Sequence, residues 1–219
     1  MDPEYGRRYR ELYERHWWWR SREAAVLGVL LRHLGEKHDA RILDVGCGDG
    51  LFFGPLAEFG DVEGVEFSEA LLDPKGPYRS RIHVAAFDES FQPGRAYDLI
   101  LMLDVLEHLP DAEGALRHAA SLLRRGGALL LTVPAFQILW TNHDVINHHL
   151  IRYRRKTLRP LLEKSGLTAV EERYWYQWTC PVKLAQRAAE KILRPKPKPP
   201  SVPPDWMNGL LYRITRLEQ

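Results

Sequence analysis

The segment Ile42-Leu43-Asp44-Val45-Gly46-Cys47-Gly48-Asp49-Gly50 joins an apolar run to an acid and three glycines at alternate positions. A glycine-rich turn between a strand and a helix lets a ligand lie against main-chain N–H groups that a Cβ would hold at a distance. The next apolar run ends Gly64-Val65-Glu66-Phe67-Ser68, which places Glu66 20 residues after Gly46. A carboxylate at that point can accept both hydroxyls of a ribose. A lone acid at a strand end is more often a turn or helix cap, and the glycine loop at the right distance tips Glu66 toward a ligand. Spacing then sorts the nucleotides. A dinucleotide fingerprint needs glycine where Leu51 stands, and no Gly-Lys-Ser/Thr offers a phosphate-cradling loop. A nucleotide-dependent oxidoreductase is therefore the weaker enzyme reading.

The elements that must hold these groups read as alternating strands and helices feeding a parallel sheet. Candidate strands are Arg41 to Val45, Val62 to Phe67, Ile82 to Phe87, Tyr97 to Leu103 and Ala128 to Val133. They are apolar almost throughout, as strands covered on both faces should be. A helix is expected over Leu51 to Phe59. Asp111 can cap another through Ala115, Leu116, Ala119, Leu122 and Leu123, with Arg124 and Arg125 in its last turn and Gly126-Gly127 ending it. A helix from Thr157 to Ser165 leads to a candidate sixth strand at Ala169 to Tyr176. The fold class is α/β, a doubly wound, mainly parallel sheet.

Together, Asp44-x-Gly46-x-Gly48-x-Gly50, the Gly-Val-Glu-Phe-Ser strand end, Tyr97-Asp98-Leu99-Ile100 running into Asp104-Val105-Leu106-Glu107-His108, and Leu123-Arg124-Arg125-Gly126-Gly127 resemble class I S-adenosylmethionine (SAM)-dependent methyltransferases, in a type 11/12-like subgroup. The resemblance covers about Arg41 to Pro134. It implies SAM as cofactor and S-adenosylhomocysteine as product. By the same resemblance the main chain of Gly46, Cys47 and Gly48 lies against the methionyl part, and Asp44 contacts its amino end. Glu66 holds the ribose, Phe67 packs on the adenine, Asp88 reaches the adenine edge, and Leu103 and Asp104 line the floor. His16-Trp17-Trp18-x-Arg20-x-Arg22 is similar to an N-terminal helix that covers the cofactor, with Arg22, 24 residues before Gly46, pairing with its carboxylate. Leu139-Trp140-x-x-His143-Asp144 and His149-x-x-Arg152-Tyr153 are similar to the same subgroup. They follow the fifth strand, where the acceptor is received. His108, His143, Asp144, His149, Arg152 and Tyr153 are the expected acceptor-side residues, and no spacing rule selects a catalytic base among the histidines. Such folds usually end in an antiparallel seventh strand, and no β-branched run follows the last helix to supply it.

Outside this core, residues 1–40 read as a helical cap and 41–178 as the SAM-binding core. Residues 179–219 read as a helical extension with a Pro-rich linker at 194–204. Tyr5 to Leu34 is helical in pattern, and its three consecutive tryptophans cannot share one core face because helical neighbours stand about 100° apart. Trp206, Met207, Leu210, Leu211, Ile214 and Leu217 form an apolar stripe whose plain fate is packing on the sheet. The sharper one is a lid over an acceptor with a polar head and an apolar body. The expected acceptor is thus a small-molecule or lipid-linked compound.

Composition closes off other classes. The 219 residues are 45% hydrophobic and 27% charged, and no apolar run approaches the length of a membrane span. Met1 to Arg10 has three arginines and no apolar region behind them, so a secretory signal is not expected and a cytoplasmic location is the default. Cys47 and Cys180 are too few for a disulfide scaffold or a cysteine-built metal site, and no metal is expected. Net charge is only +2, so no DNA partner is expected. The cationic stretch Arg152 to Arg159 alone suggests a non-catalytic, SAM-binding or RNA-associated module. A homodimer is left open as an oligomeric form.

Overall fold

The computed structural model describes residues 3–35, 38–196 and 200–219, with side chains from residue 9 onward. Pro197, Lys198 and Pro199 of the expected proline-rich linker lie outside the described residues. In chain order the elements are α1 (Pro3–Arg15), α2 (Trp17–Leu34), β1 (Ala40–Val45), α3 (Phe53–Leu56), β2 (Gly60–Glu66), β3 (Ile82–Val84), β4 (Tyr97–Leu103), α4 (Ala112–Leu122), β5 (Leu123–Thr132), α5 (Asn142–Ile146), α6 (Arg155–Lys164), α7 (Cys180–Leu193) and α8 (Asp205–Glu218). The chain divides into two compact units. One comprises Leu34–Pro134 and Tyr153–Glu171, and the other joins Met1–His33, Ala135–Arg152 and Glu172–Gln219.

The first unit carries a parallel sheet in the order β3-β2-β1-β4-β5. β1 and β4 lie inside it, and Ile42, Leu43, Leu99, Ile100, Leu101 and Met102 are almost wholly buried. Each such side chain contributes roughly 1.5–3 kcal/mol by leaving water. Leu116 and Ala119 of α4 pack into the same cluster, and Leu158, Leu161 and Leu162 of α6 lie against it. Asp111 caps α4 by accepting the Gly114 N–H at 2.8 Å.

Four sequence expectations change. The helix expected over Leu51 to Phe59 shrinks to α3, because Gly54 and Pro55 are poor helix formers at its centre. β3 ends at Val84 rather than Phe87. Helix α4 stops at Leu122, and Arg124 and Arg125 belong to β5, where Arg124 Nη1 donates to both Asp98 oxygens at 2.9 and 3.0 Å. The Gly126-Gly127 pair lies in a strand irregularity: register passes from Tyr97↔Leu123 to Leu99↔Ala128, and a Cβ on Gly127 would meet the Tyr97 carbonyl at 3.0 Å. The sixth strand does not form. Ala169 to Tyr176 has no ladder, the run Glu171-Glu172-Arg173 favours solvent, and Tyr174 and Tyr176 stack instead on Phe136 and Trp18. Among the described residues, no strand pairs with the outer edge of β5.

In the second unit the N-terminal helical stretch breaks at His16, where the run His16-Trp17-Trp18-Trp19-Arg20 interrupts its pattern. His16 Nδ1 accepts the Trp18 N–H at 3.1 Å and so satisfies one of the first donors of α2. Leu12 and Trp19 are buried there with Tyr9, Tyr13, Ile146 and Val202 around them.

Candidate functional site

At the carboxyl ends of β1 and β2 the chain makes a glycine-rich turn whose Gly46, Cys47 and Gly50 N–H groups are held by main-chain carbonyls. Gly46, Gly48 and Gly50 have φ values of 69°, 53° and 69°, so the alternate glycines keep the turn in a region that side chains disfavour. A Cβ on Gly46 would approach Val105 Cγ2 to 2.7 Å, whereas one on Gly48 would meet nothing within 4 Å. The loop is thus closed beneath and open above. Glu66 locks it to the next strand end: Oε2 accepts the Gly48 N–H at 3.0 Å and Oε1 the Ser68 N–H at 2.9 Å. The carboxylate is buried, and Phe67 beside it is 79% exposed.

The other expected residues of this unit fall at the same edge of the sheet or just beyond it. Asp44 is buried at the end of β1. Cys47 sits over Gly64, where a Cβ would come within 2.4 Å of its sulfur. Burial, then the Asp44 and Glu66 carboxylates, push the Cys47 thiol above its ordinary range, which disfavours the thiolate. Leu103 ends β4, and Asp104 follows in a left-handed conformation, φ 57°, with Oδ1 accepting the Thr132 hydroxyl at 3.1 Å. Asp88 is exposed and closes a turn on the Ser90 hydroxyl and N–H, which hold its carboxyl below the usual range. His108 ends a short 3-10 turn, Leu106–His108, next to the fully buried Glu107. Tyr153 is a core residue whose hydroxyl donates to the Leu106 carbonyl at 3.4 Å; burial and the Glu107 charge push its phenol up.

In the second unit Asp144, His149 and Arg152 meet. Asp144 is fully buried and accepts Arg152 Nε at 2.8 Å on Oδ1 and Nη2 at 2.9 Å on Oδ2. His149 Nδ1 donates to Oδ1 at 2.9 Å, and the Thr141 N–H donates to Oδ2 at 2.8 Å. Burial raises the Asp144 carboxyl, but those bonds and the Arg152 charge outweigh it and hold the group well below the carboxylate range. Arg152 Nη1 also donates to the Ala135 carbonyl at 3.1 Å, so the first arginine of the Arg152 to Arg159 stretch is engaged within the protein. His143 lies next in this cluster, hydrogen-bonded to Asn147. Arg22 sits on α2 with its guanidinium carbon 5.4 Å from the centre of the Trp18 ring. The three tryptophans take different neighbours, Trp17 facing Trp178, Trp18 stacking on Tyr176 and Trp19 meeting Tyr9 and His16 edge-on, while Trp18 and Trp19 also meet edge-on with ring centres 4.9 Å apart.

A family model described as "Methyltransferase domain" matches residues 18–172. The chain belongs to this methyltransferase family. The match is to a family of SAM-dependent methyltransferases, and the residues of the glycine loop fit that cofactor: a turn left open above Gly48, a buried acid at the next strand end, and an uncovered aromatic ring beside it. Among curated proteins the methyltransferase is 33% identical to a ubiquinone biosynthesis O-methyltransferase of Azorhizobium caulinodans, over 49% of this chain and 48% of that one. It is also 33% identical to the enzyme of the same name from Coxiella burnetii, over 42% of each. The chain thus spans about half the length of the curated relatives it matches. Among solved structures it is similar to the YcgJ protein of Bacillus subtilis, with TM-score 0.58 and 14% identity over 78% of this chain and 81% of that one. A Bacillus halodurans protein described as a methyltransferase gives TM-score 0.56 and 18% identity over 77% and 82%. These two likenesses establish the fold, an α/β Rossmann-like methyltransferase sheet.

Some members of the buried cluster are not legible as such. Thr141-x-x-Asp144 is a capping-box pattern that the sequence does display, and it caps α5. Lys183 and Glu190 complete the cluster from α7 and carry no local signal. The Glu190 carboxylate accepts the Asn142 N–H at 2.8 Å, and burial, then the Arg152 charge, lowers the Lys183 ammonium.

Buried histidines should give the methyltransferase an acid-sensitive stability, and burial lowers His118 in the same direction as His16 and His143. Burial pulls His16 down to about 4, and burial followed by the Lys183 charge pulls His143 to about 4, from an ordinary 6.5. Below 6.5 the unfolded chain takes up protons that the folded chain refuses until about 4. Stability therefore falls as pH drops through that window and is regained above it. Urea midpoints measured from pH 7 to 4 should fall less steeply for His16→Asn, which keeps a capping acceptor but cannot titrate. An unchanged slope in that variant would remove His16 from the account.

Proposed function

We propose that the protein transfers the methyl group of SAM to a small-molecule or lipid-linked acceptor through an oxygen atom. SAM brings both the electrophilic methyl and a good leaving group, so the chain has mainly to position two molecules and exclude water. Gly46, Cys47 and Gly48 would receive the methionyl part with Asp44 near its amino end, and Arg22 would pair with its carboxylate. Glu66 would hold the ribose, Phe67 the adenine face and Asp88 its edge, while Leu103 and Asp104 would line the floor. The observation that carries this reading is the Glu66 carboxylate. Two of its roughly four acceptor positions are spent on the Gly48 and Ser68 N–H groups, which leaves two for a pair of hydroxyls.

The oxygen acceptor is supported by the name of the curated relatives, O-methyltransferases. A hydroxyl must lose its proton on or before attack. His149 has the chemistry to take it, because Asp144 holds the Nδ1 proton and makes Nε2 the basic nitrogen. His108, His143, Asp144, Arg152 and Tyr153 remain acceptor-side proposals, of which Asp144 and Arg152 would act through the cluster they build.

Calorimetry should show binding of SAM and S-adenosylhomocysteine and none of NAD. Labelled methyl from SAM should then appear on hydroxylated aromatic acceptors, better on those with an alkyl tail. Tight NAD binding without either SAM species would overturn the assignment. Arg22→Ala should lose about tenfold in SAM affinity, the low end for a charged hydrogen bond, with an unchanged circular dichroism spectrum. An unaltered affinity would make α2 structural only.

A further inference from the structure

Both C-terminal helices present their apolar side chains outward and their polar ones inward. In α8, Asn208 and Thr215 are buried. Asn208 Oδ1 accepts the Trp17 N–H at 2.8 Å, and its Nδ2 donates to the Arg15 carbonyl at 2.7 Å. Thr215 Oγ1 accepts Trp178 Nε1–H at 3.2 Å and donates to the Leu211 carbonyl at 2.9 Å. These bonds fix the rotation of the helix, because turning it would strand buried polar groups. Trp206, Leu210, Ile214 and Leu217 are consequently held on the far side, within about 80° of the circumference at about 100° per residue. Trp206 is 74% exposed and Leu217 89%.

Helix α7 repeats the arrangement. Arg187 Nη1 donates to the carbonyls of Gln137 at 2.9 Å and Ile138 at 2.5 Å, and Glu190 accepts from Asn142, while Val182, Ile192 and Leu193 stand exposed. A helix packed on a soluble core shows the reverse pattern. The core expected for the α8 stripe is therefore not where it lies, and contiguous exposed apolar side chains mark an interaction surface.

Charge selects the partner. Residues 180–219 carry eight Lys and Arg against three Asp and Glu, a net +5 in a chain whose total is +2, so the preceding 179 residues sum to −3. Arg213 and Arg216 stand exposed on one flank of the α8 stripe, and Lys191, Arg194 and Lys196 are exposed at and beyond the end of α7. Lysine is depleted from protein–protein interfaces, where arginine is enriched, so Lys191 and Lys196 are the residues that speak against a protein partner. A helix lying in the headgroup region of an anionic bilayer combines Trp and Leu with Arg and Lys, whose long stems keep the charge at the polar level. Among the described residues no helix is long and apolar enough to cross a membrane. The geometry points to residues 180–219 as a docking surface for an anionic phospholipid bilayer, with the outward stripe of α8, seconded by α7, lying in its interface.

This stands apart from the methyl acceptor, and its test reads no turnover. The full chain should co-sediment at low salt with phosphatidylcholine vesicles containing phosphatidylglycerol, and about tenfold less with phosphatidylcholine alone. Trp206→Glu combined with Leu217→Glu should reduce binding to the anionic vesicles by about tenfold or more, with an unchanged circular dichroism spectrum since both side chains are exposed. A double variant that sediments like the parent, or a parent that ignores anionic vesicles, overturns the proposal. A concentration-dependent dimer that the same two substitutions dissolve also overturns it, and assigns the face to a second copy of the chain.

Discussion

Replacing Glu66 with alanine should weaken binding of both SAM and S-adenosylhomocysteine by about 10- to 150-fold, the equivalent of 1.5–3 kcal/mol for hydrogen bonds to a charged group. The loss has two sources. The hydroxyl pair of the ribose would lose its proposed acceptor, and the Gly48 and Ser68 N–H groups would lose theirs, so the glycine turn would no longer be tied to the end of β2. Glu66→Gln separates them. An amide keeps one oxygen for one of the two N–H groups but turns an NH2 toward the other, so it should fall between the parent and alanine. Isothermal calorimetry on folded protein gives all three affinities, and an alanine variant that binds SAM as the parent does would take the ribose away from Glu66.

That acid and its loop could be read in the sequence because everything that places them is local. Gly46 to Gly50 follow a buried strand directly, and Gly64-Val65-Glu66 ends the next one in register, Asp44 opposite Gly64. The misread boundaries share a different origin. Leu122 and Leu123 both continue the apolar spacing of α4, and Arg124-Arg125 makes a reasonable last turn. What ends the helix is the pairing of Leu123 with Tyr97 and the bond from Arg124 to Asp98, contacts across 26 residues that no local pattern announces. The failed sixth strand is similar. Tyr174-Trp175-Tyr176 has strong strand propensity, yet Phe136 and Trp18 supply stacking partners for Tyr174 and Tyr176. In the second unit the capping box of Asp144 is local and legible, while Lys183 and Glu190 arrive from a helix about 40 residues later. The inverted C-terminal helices are legible as amphipathic stripes, but which face turns inward depends on partners such as Trp17 and Trp178.

Asp144→Ala should destabilise the protein by about 3–5 kcal/mol, the cost of leaving one charge of a buried pair without its partner. The side chain of Arg152 is only 9% exposed, so its guanidinium cannot recover in water what the carboxylate supplied, and the Ala135 carbonyl offsets only Nη1. The same change removes the acceptor of the Thr141 N–H at the start of α5 and the anchor of His149 Nδ1. Against a typical total stability of 5–15 kcal/mol this is a large fraction, and a urea titration followed by circular dichroism should show it as an earlier midpoint. The double variant Asp144→Ala with Arg152→Leu should be less destabilised than the sum of its single changes, because removing both charges removes the uncompensated one. The linkage to pH has a definite sign. The folded carboxyl lies below its unfolded value, so its contribution is complete at neutral pH and is lost progressively as pH falls from the ordinary carboxylate range through the depressed folded value. Acid loss between pH 6.5 and 4 belongs instead to His16 and His143, with His118 lowered by burial beside them, and Asp144→Asn should lower stability at neutral pH without removing that part of the profile. If Asp144→Ala unfolds within about 0.5 kcal/mol of the parent, the cluster contributes no more than a surface pair, and Asp144 and Arg152 regain a claim to bind the acceptor directly.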